Sequence, residues 1–356
     1  MKKRIIILGA TGSIGSGAVD VVRAHPGDFE VVAVAARRDR GRCEALAASL
    51  GAVAYVGDDA AARAVAESDA DVCLVATVGV SGLRPTVLAI EKGMDVALAT
   101  KEVLVAAGGL VMRLAEERGV RILPVDSEHS AVFQCLQGAS AGSVAKLTLT
   151  ASGGPFLDGP DDLSSVTPAE ALRHPRWRMG PKVTVDSATM MNKGFEVVEA
   201  RWLFGVPVER IDVVVHPEAV VHSLVTFADG STLAQMCPPD MRVPIQYALS
   251  WPERLPAERA GLDLAALGAL TFRRLDERRF PCLRLVREAY SAGGCAMAVL
   301  AAADEWAVGR FLEGRIRYTD IPRAVEDALG SAPRIDAASV EAVEEASDWT
   351  WKYLSR

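Results

Sequence analysis

None of the six cysteines (43, 73, 135, 237, 282 and 295) has a partner at C-x-x-C spacing. That excludes a zinc ribbon and argues against a disulfide framework, so the thiols are read as reduced and the location as cytoplasmic. Positive charge is not in excess: 39 Lys and Arg stand against 46 Asp and Glu, a net charge of −7. No basic surface is therefore expected for bulk nucleic-acid binding. Apolar runs all fall short of the roughly 20 residues that a membrane helix needs. The opening "MKKRIIILGATG" is too brief an apolar run, followed too soon by Gly9 and Asp20, to be read as a signal peptide. Internal repeats and low-complexity tracts are missing as well.

What is present is the texture of a folded, two- or three-domain chain: 356 residues, 50% hydrophobic and 24% charged. Short buried-type strands at 4–8, 30–36, 71–77, 95–100 and 120–125 alternate with helical spacing at 13–25, 82–93 and 102–118. That alternation predicts βαβ units and a doubly wound parallel sheet, the Rossmann-like first domain of an α/β protein, over 1–125. After Val125 the pattern changes. Strand-like runs at 145–151 and 211–217, and a hairpin at 220–237 about Asp229-Gly230, predict an α+β domain over 126–251. A Pro-rich, charged linker at 252–262 leads into a C-terminal helical domain, 263–356.

"LGATGSIG" sets Gly9, Gly12 and Gly15 between the first strand and first helix. Glycines there permit a tight turn, close approach to a pyrophosphate and a helix N-terminus facing the anion, so a dinucleotide is expected. The second strand runs into Arg37 and Arg38 where an NAD-type fold would place an acid for the ribose hydroxyl. Two guanidinium groups suit a 2′-phosphate, hence NADPH. Further along, Asp126 and Glu128 are two residues apart, and on an extended chain both carboxylates would point one way. If 192–196 is helical, Asn192, Lys193 and Glu196 share a face. Three carboxylates without nearby Cys or paired His predict a hard cation, Mg²⁺ or Mn²⁺. Lys193 with the hydroxyls of Ser152 and Ser187 would hold a phosphate, helped by backbone N–H groups at Gly153 and Gly154. Glu199 has no role in any motif, and Met190 and Met191 read as packing.

The quoted turn, "PVDSEHSAVFQ", "ASGGPF" and "HPRWRMGPKVTVDSATMMNKGFEVVEARWLF" together resemble the 1-deoxy-D-xylulose 5-phosphate reductoisomerase family, over residues 5 to about 328. The resemblance implies an NADPH- and metal-dependent rearrangement and reduction of 1-deoxy-D-xylulose 5-phosphate to 2-C-methyl-D-erythritol 4-phosphate, in a homodimer without membrane or nucleic-acid partners. It implies Asp126, Glu128 and Glu196 as metal ligands, and Lys101, Glu128 and His174 as catalytic groups. Substrate contacts would be Ser127, Glu128, Ser152, His174, Trp177, Ser187, Asn192, Lys193 and Glu196. Cofactor contacts would be Thr11, Gly12, Ser13, Ile14, Arg37, Arg38, Lys101, Glu102, Met179 and Gly180. Residues 173–181 would form a lid that closes over the substrate. The chain departs from the family pattern at Thr100, Val103, Ala301, Asp304 and Cys237-Pro238, and between about 56 and 71 it is shorter. The same fold reducing another phosphorylated sugar, or a non-catalytic NADPH-binding paralogue, are the competing readings.

Overall fold

Ile5 to Leu8 have no exposed surface, as expected of a strand covered on both faces. They lie in β1 (Lys3–Leu8), which α1 (Ser13–Ala24), β2 (Phe29–Ala36), α2 (Arg40–Leu50), β3 (Val53–Val56) and α3 (Ala60–Glu67) follow in turn. Then come β4 (Val72–Val75), α4 (Leu83–Glu91), β5 (Asp95–Leu98), α5 (Lys101–Arg118), β6 (Ile122–Pro124) and α6 (Ser127–Cys135). The computed structural model describes residues 1–140, 142–257 and 261–356, so residues 258–260 of the expected linker lie outside the described residues. Among these, β1 to β6 form a parallel sheet in the order β3-β2-β1-β4-β5-β6. This is the doubly wound order, with its switch point between β1 and β4 at the carboxyl ends of the strands.

The second sheet has the order β10-β9-β7-β8-β11. It is built from β7 (Val144–Ala151), then, beyond α7 (Pro168–Ala171), α8 (Pro181–Thr189) and α9 (Met191–Phe204), from β8 (Ile211–Val215), β9 (Val221–Phe227) and β10 (Thr232–Met236). β9 and β10 make the expected hairpin: Gly230 has φ +84°, and Asp229 accepts from the Ser231 N–H at 2.9 Å. The chain continues through α10 (Arg242–Ser250), α11 (Leu264–Leu267), β11 (Arg273–Arg274), α12 (Cys282–Ala292), α13 (Ala296–Leu312), α14 (Asp320–Ser331) and α15 (Val340–Leu354). Among the described residues no helix is long and apolar enough to cross a membrane.

The described chain separates into two compact units: 1–103, 109–130 and 240–261, and 104–108, 131–239 and 262–356. This differs from the linear division read in the sequence. In the first unit α10 packs on α1, so residues 240–251 go with the parallel sheet. In the second, α12 packs on α9 and α13 on α8, so the C-terminal helices share a core with the mixed sheet. Gly194 on α9 shows how close that packing is, since a Cβ there would lie 2.6 Å from Val286. The sequence reading also missed α2, β3 and α3. The stretch 40–67 is rich in alanine, and its strand is only four residues long, so periodicity carries little signal there.

Candidate active site

In the first unit, Gly12 stands at the N-cap of α1, and no side chain caps the helix among the described residues. Its first N–H groups are thus left for an anion. The three glycines differ in what they do. A Cβ on Gly9 (φ +77°) would lie 2.2 Å from the Ala76 carbonyl oxygen, and one on Gly15 would lie 2.3 Å from that of Gly9. Gly12 meets nothing closer than 3.3 Å. Gly9 and Gly15 therefore build the turn, and Gly12 is its open side, flanked by Thr11, Ser13 and Ile14, each at least partly exposed. Arg37 and Arg38 are exposed beyond β2, and Arg37 Nε donates to Asp58 at 2.6 Å. So exposed a pair contributes little and leaves the guanidinium free to turn to a phosphate.

The same unit gathers Lys101, Asp126, Ser127 and Glu128. Lys101 heads α5 and pairs with Asp126 at 2.5 Å. Glu102 beside it is buried, and Thr100 before it satisfies its hydroxyl on the Thr77 carbonyl at 2.7 Å. Val103 is fully buried. The extended geometry expected for Asp126 and Glu128 is not found. The Asp126 carbonyl accepts from the Ser130 N–H at 2.8 Å, so Asp126 caps α6, while Glu128 occupies its first turn. A strand end turning at once into a helix is what places them, and Ser127 Oγ donates to Glu128 Oε2 at 2.6 Å.

His129, which sequence reasoning passed over, is fully buried with Nδ1 at 2.9 Å from Asp126 Oδ2. Its spacing from Asp126 at a helix start was the available signal. Burial alone would push the Asp126 carboxyl up, but the Lys101 ammonium and then the His129 ring outweigh it and hold the group well below the usual carboxylate range.

The second unit gathers the rest. At the end of β7, Ser152 Oγ lies 2.9 Å from His174 Nε2. The Arg176 and Trp177 N–H groups both donate to His174 Nδ1, at 3.1 and 2.9 Å. Nδ1 is thus the acceptor, and Nε2 carries the proton it donates to Ser152. Burial lowers the His174 pKa to about 4, so the ring is neutral at pH 7. Gly153 (φ +92°) and Gly154 (φ +66°) turn the chain so tightly that a Cβ on Gly154 would lie 3.0 Å from the Ser187 carbonyl oxygen. Ser152 and Ser187 are thereby brought into one neighbourhood.

On α9, which is helical over 192–196 as expected, Asn192 Nδ2 donates to Glu196 Oε1 at 2.5 Å. Lys193 pairs with Glu196 Oε2 and donates to the Thr150 carbonyl at 2.5 Å. Met190 supplies the left-handed turn (φ +64°) between α8 and α9, and with Met191 it is buried, as packing requires. Trp177 is partly buried, its ring 6.0 Å from that of His222, and Met179 and Gly180 lead directly into α8. Glu199 corrects the sequence reading: it is 2% exposed, one turn beyond Glu196, and so is part of the buried polar interior. His216 is structural, with Nδ1 on the Thr271 carbonyl at 2.8 Å and Nε2 accepting from the Val221 N–H.

The tautomer of His174 gives a first prediction. Its folded pKa lies below the ordinary 6.5, so its contribution to stability is present above 6.5 and lost as pH falls from there through about 4. An NMR titration of the ring should show the Nε2–H form throughout neutral pH; titration near 6.5 would contradict the buried, acceptor-bound Nδ1.

Family models match most of the chain. The 1-deoxy-D-xylulose 5-phosphate reductoisomerase model matches residues 5–53 and 41–108, the C-terminal domain model of that family 122–204, and the DXP reductoisomerase C-terminal domain model 236–353. A 1-deoxy-D-xylulose 5-phosphate reductoisomerase from Symbiobacterium thermophilum is 50% identical over 98% of this chain and 97% of its own. The reductoisomerase structure from Zymomonas mobilis in complex with NADPH has a TM-score of 0.92 at 37% identity, covering 100% of this chain and 98% of that one. A DOX-P reductoisomerase structure with NADPH, fosmidomycin and magnesium has a TM-score of 0.92 at 36% identity, covering 99% and 97%.

Proposed function

The chain belongs to the 1-deoxy-D-xylulose 5-phosphate reductoisomerase family, and on that premise we propose that it converts 1-deoxy-D-xylulose 5-phosphate to 2-C-methyl-D-erythritol 4-phosphate with NADPH and Mg²⁺ or Mn²⁺. The observation that carries the reading is the polar group of the second unit: Ser152 on neutral His174, Gly154 against Ser187, and Asn192 and Lys193 on Glu196. Hydroxyls, an amide, an ammonium and glycine N–H groups are what a phosphate monoester asks of a protein. Ser152, Ser187, Asn192 and Lys193 hold that phosphate in this reading, and His174 donates a hydrogen bond from Nε2. Trp177 and the loop 173–181 cover the bound sugar and exclude water.

The proposed ligands Asp126, Glu128 and Glu196 offer carboxylate oxygens only, which fits a hard divalent cation. When bound, such a cation supplies Lewis-acid polarisation of the substrate ketone. Lys101 and His129 orient Asp126 and keep it ionised for that role. The open Gly12 side, Thr11, Ser13, Ile14 and the two arginines would take NADPH, the hydride donor, with Lys101, Glu102, Met179 and Gly180 toward its reactive end. We extend the same premise to a homodimer and to a cytoplasmic location.

The activity is tested by following NADPH absorbance with 1-deoxy-D-xylulose 5-phosphate beside other phosphorylated ketoses. Oxidation with the first alone supports the proposal, and a preference for another sugar favours the same-fold reductase. Two further outcomes follow. Replacing Arg37 and Arg38 by Ala should weaken NADPH far more than NADH, since each charge-assisted hydrogen bond to the phosphate contributes roughly 1.5–3 kcal/mol. Equal losses for both nucleotides would take the arginines out of the 2′-phosphate site. Hydrogen exchange over 173–181 should slow when a phosphonate analogue binds, and unchanged exchange at saturation would count against a closing loop.

A further inference from the structure

Lys182, near the start of α8, lies between two carboxylates. Its Nζ donates to Asp186 Oδ2 at 2.6 Å, one turn on along the same helix, and to Asp304 Oδ2 at 2.8 Å, on α13. The side chains of Lys182, Asp186 and Asp304 are 16%, 3% and 0% exposed. The ammonium is also 5.1 Å from the ring centroid of Phe195 on α9. Asp304 Oδ1 is buried without a hydrogen-bond partner among the described residues. Two acids and one ammonium sealed together are a poor source of stability, because desolvation of the ions offsets most of their attraction. Such a group is better suited to holding an arrangement than to adding net free energy.

The arrangement in question is that of α8. The helix starts where the loop 173–180 ends, and Lys182 sits at that root. Ser187 follows Asp186 directly, with the Ser152–Gly154 turn packed against its carbonyl. Beyond it the left-handed Met190 starts α9, which carries Asn192, Lys193 and Glu196. A shift of α8 would therefore move one phosphate hydroxyl and one end of the loop together. Asp304 comes from a buried helix 122 positions away in sequence and is a fixed point for the set.

We propose that Asp304 is a positioning residue: by holding Lys182 against Asp186 it fixes α8, and through it Ser187, for the substrate's phosphate. This rests on the assignment of Ser187 to the phosphate, so the test includes that residue. Steady-state kinetics of the full-length protein are measured for Asp304→Ala, Asp304→Asn, Ser187→Ala and the Asp304→Ala/Ser187→Ala pair. Asp304→Ala should raise KM for 1-deoxy-D-xylulose 5-phosphate about tenfold, with a much smaller change in kcat. Asp304→Asn, which keeps a hydrogen bond to Lys182, should raise it less. NADPH affinity should stay at the wild-type value in both. In the Ser187→Ala background, Asp304→Ala should add little further to KM, since both act through one contact.

A lower melting temperature with wild-type KM, or full additivity in the double variant, would make Asp304 merely structural and overturn the proposal. If Ser187→Ala itself leaves KM unchanged, the phosphate assignment has failed, and the proposal with it. Should Asp304→Ala not fold, Asp304→Asn decides: a raised KM supports the positioning role, and a wild-type KM refutes it.

Discussion

Glu196→Gln should leave the fold and NADPH binding in place and lower turnover by a factor of about 10² or more. Glu196 is 1% exposed, and both of its oxygens are engaged, one by Asn192 and one by Lys193. Glutamine keeps the shape and removes the charge on which the proposed cation and the Lys193 ammonium both depend. Metal affinity should fall with turnover, so raising Mn²⁺ should recover part of the activity. Asp126→Asn should behave alike, because Lys101 and His129 are arranged around an ionised carboxylate. Glu199 is no neutral control, since a buried acid stripped of its charge disturbs its own surroundings. The exposed Glu209 serves instead, and Glu209→Gln should be near wild type. Turnover against metal concentration, with melting curves for folding, makes the comparison. Unaltered metal dependence in Glu196→Gln would place the third ligand elsewhere.

Gly9→Ala is expected to be the most damaging single change in the nucleotide-binding unit. The new methyl would meet the Ala76 carbonyl oxygen at 2.2 Å on a backbone already at φ +77°. Neither the contact nor the conformation can be relieved by a side-chain rotation, since the obstacle is the main chain just beyond β4. A loss of about 2–4 kcal/mol in stability is expected, with NADPH binding weakened more than the melting temperature alone would suggest. Gly12→Ala, whose Cβ would meet nothing closer than 3.3 Å, should fold normally and lose affinity for the cofactor. Thermal melting and NADPH titration separate the two effects; a Gly9→Ala protein as stable as wild type would contradict the steric role given to that turn.

Local signals carried much of the fold and some of the polar groupings of the candidate site. "RIIIL" before a glycine turn is a strand by its branching and burial, and Asn192, Lys193 and Glu196 share a face because helical spacing makes them neighbours. Long-range pairings were silent in the sequence. Lys182 meets Asp304, 122 positions away, and Gly108 lies against Trp202, where a Cβ would fall 2.2 Å from the indole. Neither contact leaves a periodic trace. At 126 and 128 the expected geometry is not the one found: Asp126 caps α6 and Glu128 lies in its first turn. Extended alternation was assumed where the strand ends and Ser127 begins a helix, a boundary that periodicity places only to within a few residues. The return of α10 to the first unit was hidden for a related reason: its partner, α1, lies more than 200 residues earlier.

The central claim is that this chain rearranges a carbon skeleton as well as reducing it. Incubation of the purified protein with 1-deoxy-D-xylulose 5-phosphate, Mg²⁺ and NADPH deuterated at the transferred position distinguishes the two. The expected product is 2-C-methyl-D-erythritol 4-phosphate with a single deuteron on the primary alcohol carbon created by reduction, identified by mass and by NMR. An unrearranged, reduced deoxyxylulose phosphate carrying the deuteron on a secondary alcohol carbon would contradict it.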